Sequence, residues 1–286
     1  MLSKKQKKQL LKNKHSHSNK SNPDSDYISQ MNAYRDLFSA VPEIGFLINN
    51  VLQSDRLIKS GILPQDLPEL ILPDNIQDQI FEIVNAKYAK GDPEGDKLWN
   101  QLTDALPKVD KLLRSYRDYL EETYGMWAYI SAPFVSSIAD YIGDKAVLEV
   151  MAGNGYISKG LQNLGKQVFP TDSLAWESEN ETGNHQVTNV EKLDALTAIE
   201  KYGNEVGYVI MSWSPDKDPI DVQVLQKIRN ANNKELKLIV IGEKDGATNS
   251  AEFWKIANFI DEEAAAKINE HHQPFDLIKD QAYLVD

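Results

Sequence analysis

The stretch Val147–Ser158, VLEVMAGNGYIS, joins an apolar run to one carboxylate, two glycines and a set of helix-forming residues. A short apolar run that breaks at glycine and restarts as a helix predicts a buried strand, a tight loop and a crossover helix. The same alternation continues downstream. KQVFPT predicts a strand ending at Asp172, VEKLDALTAIEKY a helix stopped by Gly203, and VGYVIMS a strand. DVQVLQKIRNA reads as a helix and LKLIVIGE as a strand. AEFWKIANFIDEEAAAKI reads as one long last helix, followed by short strands near Phe275–Ile278 and Ala282–Val285. Just upstream, Ser131 is placed to cap a short helix with Pro133 in its first turn. Runs of this kind indicate an open parallel sheet covered by helices on both faces. Ligands of such sheets bind beyond the carboxyl ends of the strands, where the strand order reverses.

Working outward, the chain divides into three expected parts: a basic tail (1–25), a helical region (26–125) and the α/β domain (126–286). Within the helical region, Ile76, Ile80, Ile83, Val84 and Tyr88 recur at three- and four-residue spacing. Seven of the twelve prolines lie between Pro23 and Pro107, so the expectation is of short helices separated by fixed turns. ILPQDLPELILPDN reads as a connector, and YAKGDPEGDKLW as an exposed loop.

Composition narrows the function classes. There is no cysteine among the 286 residues, which excludes disulfides and thiolate metal sites. The net charge is −12, yet Met1–Asn22 holds seven lysines and no acid, leaving 24 basic and 43 acidic side chains elsewhere. An acidic body repels nucleic acid, so such a partner is expected only through the tail. No apolar run approaches the ~18 residues of a membrane span, and no secretory h-region follows the basic start, so the expected location is cytoplasmic. His15 and His17 in the tail, and His271 and His272, which reads as a surface pair, lack the companions of a metal site.

Three features near the strand ends point to a nucleoside. Gly153 and Gly155 allow close backbone approach at a helix N-terminus. Asp172, with Ser173 beside it, stands 19 residues past Gly153, where a carboxylate accepts ribose hydroxyls. Asp194 and Ala195 follow the next strand, at a position suited to an adenine amino group. A dinucleotide site asks for a third glycine, where Ser158 stands, and for no carboxylate beside the diphosphate. Glu149 disfavours that diphosphate and favours a cationic ligand, unless it merely caps a neighbouring turn.

The motifs also resemble a family. VLEVMAGNGYIS with GKQVFPTDS is similar to motif I and the acid after strand two of class I S-adenosylmethionine (SAM)-dependent methyltransferases. The nearer resemblance is to a methyltransferase-like group with segments reading WAIP, E-x-GAGTGYW, MDA and SWPP. Here these are Trp127-Ala128 with Pro133 shortly after, Glu149–Tyr156, Leu193-Asp194-Ala195 and Ser212-Trp213-Ser214-Pro215. The likeness covers about Tyr124 to Phe259. It implies SAM as cofactor, held by Trp127, Glu149, Ala152, Gly153, Asn154, Gly155, Asp172, Ser173, Asp194 and Ala195. It implies methyl transfer to a protein or small-molecule acceptor, with Ser212, Trp213 and Pro215 at the acceptor and Glu243 as base or substrate contact. Asp216 is a further polar option. Met151 replaces the usual first glycine and Ser-Trp-Ser-Pro replaces SWPP. Those two departures keep a second reading open, a catalytically silent SAM-fold binding or scaffold protein. A third, a NAD-type oxidoreductase, lacks its glycine. For SWSP the plain alternative is a Ser/Pro turn after a buried strand.

Overall fold

A computed structural model describes residues 23–286; the basic segment through Asn22, with His15 and His17, lies outside the described residues. Five helices come first: α1 (Pro23–Leu37), α2 (Pro42–Lys59), α3 (Ile76–Lys87), α4 (Pro93–Arg114) and α5 (Tyr116–Tyr124). Residues 62–72 between α2 and α3 are extended, as the proline pattern predicts. Two expectations change here. YAKGDPEGDKLW is a loop only up to Asp92, whose carboxylate accepts from Glu94 N and caps α4, with Pro93 in the first turn. α4 then runs for 22 residues straight through Pro107. The proline forfeits one backbone bond, but Leu102, Ala105, Leu106, Val109 and Leu113 are all buried along this helix and outweigh that loss.

The α/β part contains α6 (Ala132–Ile142), β1 (Val147–Val150), α7 (Tyr156–Asn163), β2 (Val168–Asp172), β3 (Glu191–Lys192) and α8 (Ala195–Tyr202). It continues with β4 (Tyr208–Ser212), α9 (Ile220–Arg229), β5 (Lys237–Gly242), α10 (Ala251–Ile256), α11 (Glu262–Asn269) and β6 (Gln281–Val285). The sheet order is β3-β2-β1-β4-β5-β6, parallel except for β6, which runs antiparallel to β5. The chain therefore moves outward from β1 to β3, then returns past β1 to build the other half, so the switch point lies between β1 and β4. The result is a Rossmann-like α/β sheet with helices on both faces, preceded by a helical region.

Side-chain parity divides the core. Val147, Tyr208, Ile210, Ile239 and Ile241 join a cluster that continues without interruption into the helical region as far as Tyr27. Leu148, Val150, Val209, Met211, Leu238 and Val240 face the other way, onto α8, α9 and α10. Pro170 is tolerated in β2 because β3 pairs only with Thr171 and Asp172, leaving the strand an edge at the proline.

The expected last long helix is two helices. Between them Phe259 bridges to Val285, and Ile260 N donates to Leu284 O at 2.9 Å, so the sheet edge takes the backbone groups that a helix would have used. Of the two expected C-terminal strands, only the second forms, as β6. No helix among the described residues is long and apolar enough to cross a membrane.

Candidate functional site

The loop after β1 turns through three left-handed residues: Met151 at φ +56°, Gly153 at +54° and Gly155 at +79°. Methionine thus holds a conformation that ordinarily belongs to glycine. The loop's N–H groups are used internally. Ala152 N donates to Thr171 O at 3.0 Å, Gly155 N to Ala152 O at 2.8 Å, and Gly153 N to the Asp172 carboxylate at 2.8 Å. Asp172 receives a second bond on its other oxygen, from Leu174 N at 2.7 Å. The carboxylate after β2 is thereby clamped against the glycine loop.

Glu149 is buried, and its Oε2 accepts from both the N–H and the hydroxyl of Ser158, in the first turn of α7. It performs the capping that the alternative reading foresees. Burial pushes its carboxyl up to about 7; the Ser158 hydrogen bonds pull it down and the nearby charge of Asp172 adds to the rise. A protein carboxylate here serves a helix-start N–H of the kind that a bound diphosphate would need.

The segment between β2 and β3 lies across this loop. Asn154 is its anchor: its backbone oxygen accepts from Val187 N at 2.9 Å, and its Oδ1 from His185 N at 3.2 Å. Its Nδ2 donates to Glu181 O at 3.0 Å and to Tyr124 O at 2.8 Å. A methyl added to Gly153 would stand 3.2 Å from Thr182 Cγ2, and one on Gly155 would stand 2.7 Å from Thr188 Cγ2. The glycines admit chain, close up.

After β3, Asp194 is the N-cap of α8. Its carboxylate accepts from Leu196 N and Thr197 N, both at 3.1 Å, and from the Thr197 hydroxyl at 2.6 Å. The Thr197 bonds hold its carboxyl below the ordinary value. Ala195 is buried beside it, and Ser173 is exposed.

β4 ends at Ser212, half-buried, and the loop after it opens with Trp213, at a left-handed φ of +53°. Trp213 Nε1 donates to Asp280 Oδ2 at 2.9 Å, and its ring lies 6.1 Å from that of Trp127. Trp127 also reaches the segment that lies across the first loop, Nε1 donating to Thr182 Oγ1 at 2.9 Å. Trp127, Gly153, Asn154, Asp172 and Trp213 therefore gather at the switch point. Pro215 sits farther along and bridges to Thr248. Glu243 does not join them. Its Oε2 accepts from Ala247 N at 2.7 Å and its Oε1 from Lys279 N at 3.1 Å, tying the loop after β5 to the C-terminal segment.

Six of the seven non-glycine residues with left-handed φ among the described residues lie in loops at the carboxyl ends of β1, β2, β4 and β5. Strain of this kind concentrates where loops are shaped for a purpose.

Sequence reading alone misses the charge cluster behind Trp213. Arg117 of α5 is buried, donates Nε and a terminal nitrogen to Asp276 at 2.6 and 3.1 Å, and pairs with Asp280 at 3.3 Å. It also donates to Trp127 O at 2.7 Å, and its guanidinium covers the rings of Trp213 and Phe275 at 5.0 and 4.6 Å. Burial alone would raise the Asp280 carboxyl, but Arg117 and His272 outweigh it and hold the group well below the usual range. The signal was an arginine on the same helix face as Tyr116 and Leu120, both buried. The expected surface pair of histidines is corrected in the same place. His271 is exposed and pairs with Asp66, while His272 is buried, bonded to Asp280 at 3.2 Å and stacked on Phe134.

No family model matches the chain, and no curated protein matches it. Several solved structures are similar. TehB from Haemophilus influenzae is 16% identical, over 59% of this chain and 66% of its own, with a TM-score of 0.33. The chain thus spans slightly under two thirds of TehB. The mitomycin 7-O-methyltransferase MmcR is 17% identical, over 76% and 74%, at 0.32. Human N-acetylserotonin methyltransferase, solved in complex with SAM, is 12% identical, over 94% and 98%, at 0.33. Likeness this distant carries no argument about chemistry, which has to come from the chain's own residues.

Proposed function

We propose that the chain is a SAM-dependent methyltransferase acting on a protein or small-molecule acceptor. One observation carries the reading: the Asp172 carboxylate is bonded to Gly153 N at the switch point of the sheet. That pairing puts a hydroxyl-accepting group beside a close-approach loop, the arrangement a nucleoside asks for. The donor set fits the cofactor. Asp172 uses two backbone bonds, and a carboxylate offers roughly four lone-pair sites, so ribose hydroxyls still have acceptors. Gly153, Gly155 and Ser158 spend their N–H groups on Asp172, Ala152 and Glu149, which argues against a diphosphate and hence against a NAD-type oxidoreductase.

When bound, the cofactor would supply an electrophilic methyl group. The work of the chain is placement: Asp172 and the Met151–Gly155 loop for the nucleoside, Trp127 and Trp213 as the wall between loop and acceptor. Glu243, held by Ala247 and Lys279, is left with a loop-ordering role. The acidic body favours an acceptor that is not nucleic acid.

Calorimetry with SAM, S-adenosylhomocysteine and NAD tests this. Both sulfur ligands are expected to bind and NAD not to, with D172A weakening binding at least ~10-fold, the size of one lost charged hydrogen-bond pair. Preferential NAD binding, or no binding of either sulfur ligand, would overturn the reading. A catalytically silent binding protein on the same fold is favoured by the covered glycine loop. Binding with no transfer of labelled methyl to protein or small-molecule fractions would select that alternative.

A further inference from the structure

We propose that residues 174–190 form a latch across the glycine loop, anchored on Asn154, which a nucleoside must displace to bind. The proposal rests on the nucleoside-site reading above and adds its gating. Thr182 is the central residue. Its methyl stands over Gly153 of the β1 loop, and its hydroxyl accepts from Trp127, whose ring lies against Trp213 of the β4 loop. Thr182 and Trp127 together thus link the loops at the carboxyl ends of β1 and β4, where an open parallel sheet takes its ligand. Thr188 and Val190 fill the space above Gly155 in the same way. Ligand and segment ask for the same face of the same glycines.

The hold is specific but shallow. Beyond Leu174 N on Asp172 and the Trp127–Thr182 bond, the hydrogen bonds to the loop run through Asn154, whose Oδ1 takes His185 N, whose backbone oxygen takes Val187 N and whose amide goes to Glu181 O. Residues 177–187 contain no helix or strand, and Trp176, at their start, is 44% exposed. A segment without helix or strand, held to its surroundings by a few hydrogen bonds that include Thr188 Oγ1 on Gln162 Oε1 at 2.8 Å, opens by local unfolding and leaves the sheet intact. Gly183, at φ +83°, supplies the sharp turn that brings Thr182 in. Since Asn154 Nδ2 also donates to Tyr124 O, the latch and the end of α5 share one amide.

The test uses the full chain, N154A and T182A, with S-adenosylhomocysteine as probe, followed by amide exchange and by stopped-flow tryptophan fluorescence. In the free chain, the His185 and Val187 amides should exchange at least ~10-fold more slowly than in N154A. Saturating ligand should abolish that protection in the unaltered chain. T182A, which leaves Asn154 in place and truncates a half-buried side chain, should speed ligand association at least ~5-fold, an effect on the rate that a purely structural threonine would not have. Binding that leaves the exchange of 181–187 unchanged, with equal association rates in all three proteins, would overturn the latch alone. Failure of all three to bind would overturn the nucleoside reading, and the latch with it.

Discussion

Glu149 shows how one side chain can serve a fold at a cost that depends on pH. Its carboxyl is buried on the N-terminal turn of α7 and titrates near 7, against an ordinary value of 4.5. A group whose folded pKa is raised favours the folded state while protonated. Its contribution is fully present below about 4.5 and is lost as pH climbs through about 7. The window of some 2.5 units corresponds to about 3 kcal/mol at most. E149Q keeps an acceptor for Ser158 and removes the titration. Urea unfolding at a series of pH values should therefore show stability falling between about pH 5 and 8 in the parent protein and a flatter profile in the variant. An unchanged slope would mean that Glu149 is not the titrating group. Met151 and Trp213 illustrate a different residue-scale cost. Each occupies left-handed backbone that glycine would enter freely, and each borders the proposed crevice.

At the scale of elements, the carboxyl-end loops decide what the helices can do. Ser250 is the N-cap of α10, accepting from Phe253 N at 3.1 Å, while its own hydroxyl and N–H go to the buried Asp221 of α9. S250A removes the cap and one of the two donors to Asp221 Oδ1, which keeps Val222 N at 2.7 Å, so a loss of about 1–2 kcal/mol is expected in chemical denaturation. A loss near zero would show that water replaces the hydroxyl. These elements also mark how far the sequence could be read. β1, α7, β4, α9 and β5 were legible because apolar runs and glycine punctuation act locally. The break between α10 and α11 was not, since no glycine or proline marks it and it depends on Phe259 meeting Val285 across the sheet edge. At the site, the glycines and Asp172 could be picked out from spacing. The cover provided by Thr182 could not, because residues 174–190 carry no periodicity and their contacts are set by Asn154. Glu149 was visible as an acid, but its direction was not: strand parity turns it towards α7.

Across the whole molecule, the helical region and the sheet share one apolar cluster, and Arg117 fastens it. Arg117 neutralises two buried carboxylates, Asp276 and Asp280, from a helix on the far side of the sequence. Removing one partner of a buried ion pair is costlier than the pair was worth, because the charge left behind cannot be hydrated. R117A should cost about 3–5 kcal/mol, read as a lowered urea midpoint, and should reduce the ordering of Trp213 seen in its fluorescence anisotropy. Stability within error of the parent would show that Asp276 and Asp280 find other partners.

The same ion pairs impose a timetable on synthesis. Arg117 leaves the ribosome well before its partners, which lie 159 and 163 residues later. Domains generally fold as they emerge, earlier segments first. Here the five helices can collapse early only around a guanidinium whose two aspartate partners are still missing. The nascent chain must hold that interior open, or keep Arg117 in water, until Asp276 and Asp280 arrive to close it.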